Sequence, residues 1–186
     1  MIVHDGSYMK EVSPVVCSAT VLIYCVSIGS SCKYTIAEKS PSAGNYHGEI
    51  LRTILTQLIL RAAVQGRMGP YSVIIDDCDN DGMVKHGNAL HQTNSSTQTQ
   101  SEVLRVMKQY IIKQPFRLIF LYVASHCDDT KLWSDCTLKE KMNIKVDSLA
   151  KVALMCAHAT NEYFDGIFPN KNFWILVNNR KVTGPI

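Results

Sequence analysis

The sequence predicts an α/β fold in a single domain, on three observations. A chain of 186 residues, 46% of them hydrophobic, suffices for one sizeable core and is too short for two. Its N-terminal part consists of β-branched and alternating apolar runs broken by turn residues. Beyond them, helical and strand-like periods alternate, and the whole reads βββαβαβα.

Ile2 and Val3 open a short strand. The run VVCSATVLIYCV at 15–26 and the alternating CKYTIAE at 32–38 flank Ile28, Gly29, Ser30 and Ser31, which predicts an antiparallel hairpin. Pro41, Ser42, Ala43, Gly44 and Asn45 break the pattern. A helix is then expected over 49–65, apolar at 50, 51, 54, 55, 58, 59 and 62 and stopped by Gly66. Glu49, Arg52, Thr53 and Thr56 form its polar stripe, with Glu49 in the first turn, where a carboxylate suits the helix dipole.

Gly69 and Pro70 turn the chain into a strand over 71–77, and Asp76, Asp77, Asp79 and Asp81 gather at its C-terminal end, where parallel sheets open a crevice. A polar, uncharged segment follows at 91–100. Thr99 and Glu102 have capping-box spacing for a helix running to Gln114, before Pro115. RLIFLYVAS at 117–125 is almost continuously apolar, as a strand covered on both faces would be. In the last helix Leu138, Met142, Val146, Leu149, Ala150 and Ala153 form the expected buried face, while Asn143 and Asp147, one turn apart, share another. Residues 1–160 are expected to form the domain and 161–186 a tail with one short strand at 173–177.

The formal charge of +3 and pI near 8.4 permit contact with phosphates without by themselves implying it. The seven cysteines include no CxxC pair and are read as free thiols, which suits a reducing intracellular compartment, cytoplasm or nucleus. No window is long and apolar enough to cross a membrane, the start lacks a signal peptide, and its opening on a strand points to a domain cut from a longer polyprotein. There is no GxGxxG, P-loop, HExxH or GxSxG motif, which leaves nucleotide-cofactor, zinc-protease and serine-hydrolase chemistry without support. Scattered basic residues (Lys85, Lys108, Lys113, Arg117, Lys139, Lys145) read as a solvated face, and Trp133 as packing its loop.

Four carboxylates remain to be explained: Asp5, Glu49, Asp79 and Asp147. An acid on a buried strand end or an apolar helix is costly unless paired, and a hard divalent cation is one solution. They sit in DGSYM at 5–9, GNYHGEIL at 44–51, IIDDCDNDGMVKHGN at 74–88 and LKEKMNIKVDSLAKVAL at 138–154, with YVASHCDD at 122–129 between the last two. Together these motifs resemble ribonuclease H, and more narrowly the domain that follows reverse transcriptase in many eukaryotic retroelements.

The resemblance implies a five-stranded mixed sheet of order 3-2-1-4-5 with helices on both faces. It implies endonucleolytic hydrolysis of the RNA strand of RNA/DNA hybrids, with two Mg²⁺ ions or Mn²⁺ in their place, beside a covalently linked reverse transcriptase domain. Asp5 would bridge the ions, Glu49 and Asp79 would hold the one beside the leaving group, and Asp147 the one that activates water. His126 would shuttle a proton or help product leave, and Asn45, Ser7 and Asn143 would contact substrate. Two departures stand out: Lys10, Glu11, Val12, Ser13 and Pro14 replace a glycine-rich segment, and no basic handle follows the third acid. Asp76 and Asp77 remain alternatives to Asp79. A transposase- or integrase-like DNA nuclease and a catalytically silent tether or scaffold are the rival readings.

Overall fold

The computed structural model describes residues 1–25, 29–64, 72–90, 101–164, 176–177 and 180–181. Strands β1 (Ile2–Ser7), β2 (Val16–Cys25) and β3 (Ser30–Lys39) are followed by helix α1 (Asn45–Val64), β4 (Val73–Cys78), α2 (Asp81–Asn88), α3 (Ser101–Ile112), β5 (Arg117–Tyr122) and α4 (Leu138–Thr160). The sheet order is β3-β2-β1-β4-β5. β1, β2 and β3 pair antiparallel, while β4 runs parallel to β1 and β5 to β4. The expected mixed sheet is therefore present.

Alternation along the strands assigns each face its helix. Cys17, Ala19, Val21 and Ile36 meet Leu51, Leu55 and Ile59 of α1 on one side. On the other, Val16 and Ala37 meet Leu154 and Ala157 of α4, and Val3 and Leu22 meet Val146. A second core joins Ile50, Ile54 and Leu58 of α1 to Leu104, Met107 and Ile111 of α3 and to Met83 and Phe120. α1 is thus covered by the sheet on one side and by α3 on the other.

That position overturns two expectations. α1 begins at Asn45, so Glu49 stands beyond its first turn and does not serve the helix dipole. Its polar stripe is not solvated either: Arg52, Thr53 and Thr56 are buried, with Thr53 and Thr56 turning their hydroxyls onto the Glu49 and Arg52 carbonyls. In α4 the buried stripe is Asn143, Val146, Ala150, Leu154 and Ala157, so Asn143 faces inward and Leu138 is exposed. The first turn of α4 is held by a capping box between Thr137 and Glu140. β5 is covered on one face, since Phe120 is buried while Leu121 and Tyr122 are exposed.

The 91–100 segment and the Thr99 half of its capping box lie outside the described residues, as does the expected tail strand before Leu176. Leu176–Val177 pairs with Arg180–Lys181 as a small hairpin. Cys17, Cys32, Cys78, Cys127, Cys136 and Cys156 are free, and no described helix is long and apolar enough to cross a membrane.

Candidate active site

Asp5 lies within β1, and the parallel register Val3↔Asp77 sets Asp79 beside it just past the end of β4. Glu49 arrives from above. A Cβ on Gly6 would overlap the carbonyl group of Gly48 and stand 2.8 Å from the Glu49 nitrogen, so only glycine lets α1 come down this far onto β1. Oxygens of Asp5, Glu49 and Asp79 consequently lie within 4.8 Å of one another.

Asp147 of α4 closes the other side, held by Lys151 Nζ at 2.7 Å. A cavity of about 330 Å³ opens over these groups, lined also by Ser7, Tyr8, Asn45, Asn80, Ser125 and His126. His126 takes the left-handed backbone conformation (φ 50°) that L side chains seldom adopt, at the start of a short helical turn over Cys127–Asp129. Asn143 does not line the cavity; its Nδ2 donates to Asp79 Oδ2 at 3.2 Å. Asp76 is buried against His4, and Asp77 accepts from Lys139 Nζ at 2.8 Å, so neither joins the cluster. Of the three candidates for the third acid, Asp79 is the one whose carboxylate lies within 4.8 Å of those of Asp5 and Glu49.

Arg52 is the residue that sequence reasoning passed over as a site component. Fully buried, it forms ion pairs with Glu49 and, at 2.9 Å, with Asp79, and lies 4.0 Å from Asp5. It also donates to the His4 carbonyl at 2.6 Å and to Cys78 Sγ at 3.1 Å. Burial disfavours its charge, but Glu49, Cys78, Asp79 and Asp5 outweigh that and hold it protonated. The available signal was its place three residues after Glu49, as the one charged residue between Glu49 and Arg61 on the helix.

The acids respond unequally. Burial pushes Asp5 up to about 8 against the lowering by Arg52, with Asp79, Glu49 and Asp147 adding to the rise. Glu49 is raised by burial in spite of Arg52. For Asp79 burial also acts upward, yet Arg52 and the Asn143 hydrogen bond prevail and hold it below the usual range. The donor set of hard carboxylate oxygens fits a magnesium-type ion.

A second convergence, Cys17, Glu38 and His47, is also within 4.8 Å, but His47 Nε2 lies 3.2 Å from Glu38 and its Nδ1 3.2 Å from Ser42. Burial, then Glu38, pushes the Cys17 thiol up, which keeps it protonated and unsuited to a metal. Other expectations change. Lys108 is buried rather than solvated, Lys139 serves Asp77, and Lys85 serves Asp81. Trp133 is 57% exposed, with Lys141 Nζ 5.7 Å above its ring, and does not pack its loop.

No protein-family model and no curated protein matches the chain. Among solved structures it is similar to LC11-RNase H1 in complex with an RNA/DNA hybrid, with TM-score 0.60 and 12% identity over 84% of this chain and 96% of that one. The chain has the ribonuclease H fold. It is similar also to the RNase H1 of the halophilic archaeon Halobacterium salinarum, with TM-score 0.52 and 14% identity, covering 82% of this chain and 95% of that one. Its similarity to the protease-reverse transcriptase of prototype foamy virus has TM-score 0.57 and 10% identity over 82% of this chain and 20% of that larger protein. The acids, His126 and the cavity thus stand on a ribonuclease H framework, and Arg52 stands among them.

Proposed function

We propose that this chain is a divalent-metal-dependent endoribonuclease that hydrolyses the RNA strand of RNA/DNA hybrids, working as the ribonuclease H domain of a retroelement polyprotein beside a linked reverse transcriptase. The observation that carries the reading is the gathering of Asp5, Glu49 and Asp79, from three separated elements, at one end of an open cavity completed by Asp147 and His126. Carboxylates assembled at this cost of burial need a cation, and a hydrolase of phosphodiesters uses one.

Asp5 and Asp147, with Glu49 and Asp79 behind them, would hold magnesium or manganese, which lowers the pKa of water and neutralises charge on the departing oxygen. Asn143 fixes the Asp79 carboxylate. Ser7 and Asn45, which line the cavity, would hydrogen-bond the backbone of a bound strand, and 2′-hydroxyls in the minor groove would mark the strand to be cut. His126, which lines it as well, would carry a proton to or from the reacting oxygen.

The test is cleavage of a labelled hybrid against duplex DNA, with Mg²⁺, Mn²⁺ or EDTA. Hybrid-specific, metal-dependent cutting is expected, and Asp5→Asn should lower it by at least about a hundredfold, the scale of the several kcal/mol a bound ion supplies. Equal cutting by Asp5→Asn at matched metal concentration overturns the assignment. Preferential cutting of duplex DNA would favour a transposase- or integrase-like nuclease. A second reading, a catalytically silent domain on the same framework, is favoured by one observation: Arg52 already neutralises part of the acid cluster. Folded protein that cuts neither substrate with either metal supports that reading.

A further inference from the structure

We propose that Arg52 is a built-in cation that takes the place of one of the two divalent ions, so that this site accepts a single ion, between Asp5 and Asp147. The inference rests on reading the cluster as a nuclease metal site. It concerns how that site is filled.

Three geometric facts carry it. First, three of the four carboxylate oxygens on the Glu49 and Asp79 side already have partners. Asp79 accepts from Arg52 Nη1 at 2.9 Å on Oδ1 and from Asn143 at 3.2 Å on Oδ2, while Glu49 Oε2 is paired with Arg52 Nη2. Second, the guanidinium cannot step aside. It is 0% exposed, and its two arms are also bound to the His4 carbonyl and to Cys78 Sγ, beneath an α1–β1 contact in which Gly6 leaves no room for a Cβ. A divalent ion drawn to Glu49 and Asp79 would meet a positive charge already touching the same oxygens, where little water screens the repulsion.

Third, the Asp147 side is different. The cation there, Lys151, is 47% exposed and pairs with Asp147 along the helix surface, so its retreat costs little and frees a carboxylate that faces the cavity beside Asp5. Asp5 itself stays 4.0 Å from the guanidinium and takes the Gly6 N–H at 2.7 Å on Oδ1. The protein therefore keeps one side of its acid cluster neutralised from within and leaves the other for an ion from solution. Arg52 acts on the acids and not on substrate; it is a positioning residue.

The experiment counts bound Mn²⁺ by electron paramagnetic resonance titration of the full chain, with and without an RNA/DNA hybrid, in the wild type and in Arg52→Met, a neutral side chain of similar length. One ion in the wild type and two in Arg52→Met is the expected result. Two ions in the wild type overturn the inference and leave the nuclease reading standing, as does an unchanged single ion in Arg52→Met. No ion in either protein, even with hybrid, overturns both.

Should Arg52→Met fail to fold, the wild-type background still decides. Asp147→Asn is expected to weaken Mn²⁺ binding by about tenfold or more, whereas Glu49→Gln, whose carboxylate is committed to Arg52, should change it by less than about threefold. Equal losses for the two variants would sink the single-ion site.

Discussion

Asp5 is the acid whose chemistry depends most on what shares its pocket. With its carboxyl pushed up to about 8, chiefly by burial, it is protonated at neutral pH in the metal-free protein. An ion that binds there must displace the proton. Mn²⁺ affinity is therefore expected to rise by up to about tenfold per pH unit between about pH 6 and pH 8 and then to level, with a proton released per ion in the lower range. Calorimetric titrations in buffers of different ionisation heat measure both, and a flat affinity would contradict it. The stability of the metal-free protein moves the other way. Because the folded pKa lies above the unfolded one, the contribution of Asp5 is fully present below about pH 4 and is lost as pH rises through about 8. These acids could be nominated from sequence because each sits at an element boundary or inside an apolar run, where an unpaired charge is conspicuous. Arg52 was not nominated, because its spacing matched the polar stripe of α1, and that stripe becomes interior where the helix lies on β1 and the end of β4, with the His4 carbonyl, Cys78 and Asp79 against the guanidinium.

At the level of elements, the site depends on how closely one helix approaches one strand. The strands and helices were legible because the periods of two and near four were clean, and the hairpin and acid-bearing strand end lie within a residue or two of expectation. The distance between layers left no periodic trace. Gly6 sets it, and in sequence it looks like any turn glycine. Gly6→Ala forces its new methyl into the Gly48 carbonyl, so α1 must lift. A destabilisation of about 1–3 kcal/mol, the usual cost of overpacking, is expected from urea unfolding. Unchanged stability would show that the contact does not hold α1 against β1. In α4, by contrast, the helix was legible while its rotation was not. Asn143 replaced Leu138 in the buried stripe because a polar partner, Asp79, waited beside the sheet.

For the whole molecule the open question is where the folded unit ends. A boundary at residue 160 follows from the end of the last helical period, and α4 does stop at Thr160 with Asn161 in the left-handed conformation as its cap. The chain then turns back onto the sheet. Phe164 N donates to the Ala37 carbonyl at 2.9 Å, and Lys39 N donates to the Phe164 carbonyl at 2.9 Å, so Phe164 extends the sheet beyond β3 by an isolated parallel bridge. Tyr163 packs against the cluster of Val16, Ala37, Leu154 and Ala157 that joins α4 to the sheet. A chain ending at residue 160 loses both hydrogen bonds and that packing, and bares the backbone of an edge strand. With about 1 kcal/mol per hydrogen bond and about as much again from the half-buried ring, it should unfold about 2–3 kcal/mol more easily than the full chain in urea. Exposing the edge should also make it associate at high concentration, which light scattering would register. Metal binding per folded molecule should be untouched, since Asp5, Glu49, Asp79 and Asp147 all lie away from the Tyr163 cluster. Equal stability of the two chains would place the end of the unit at residue 160; the predicted gap places it beyond Phe164.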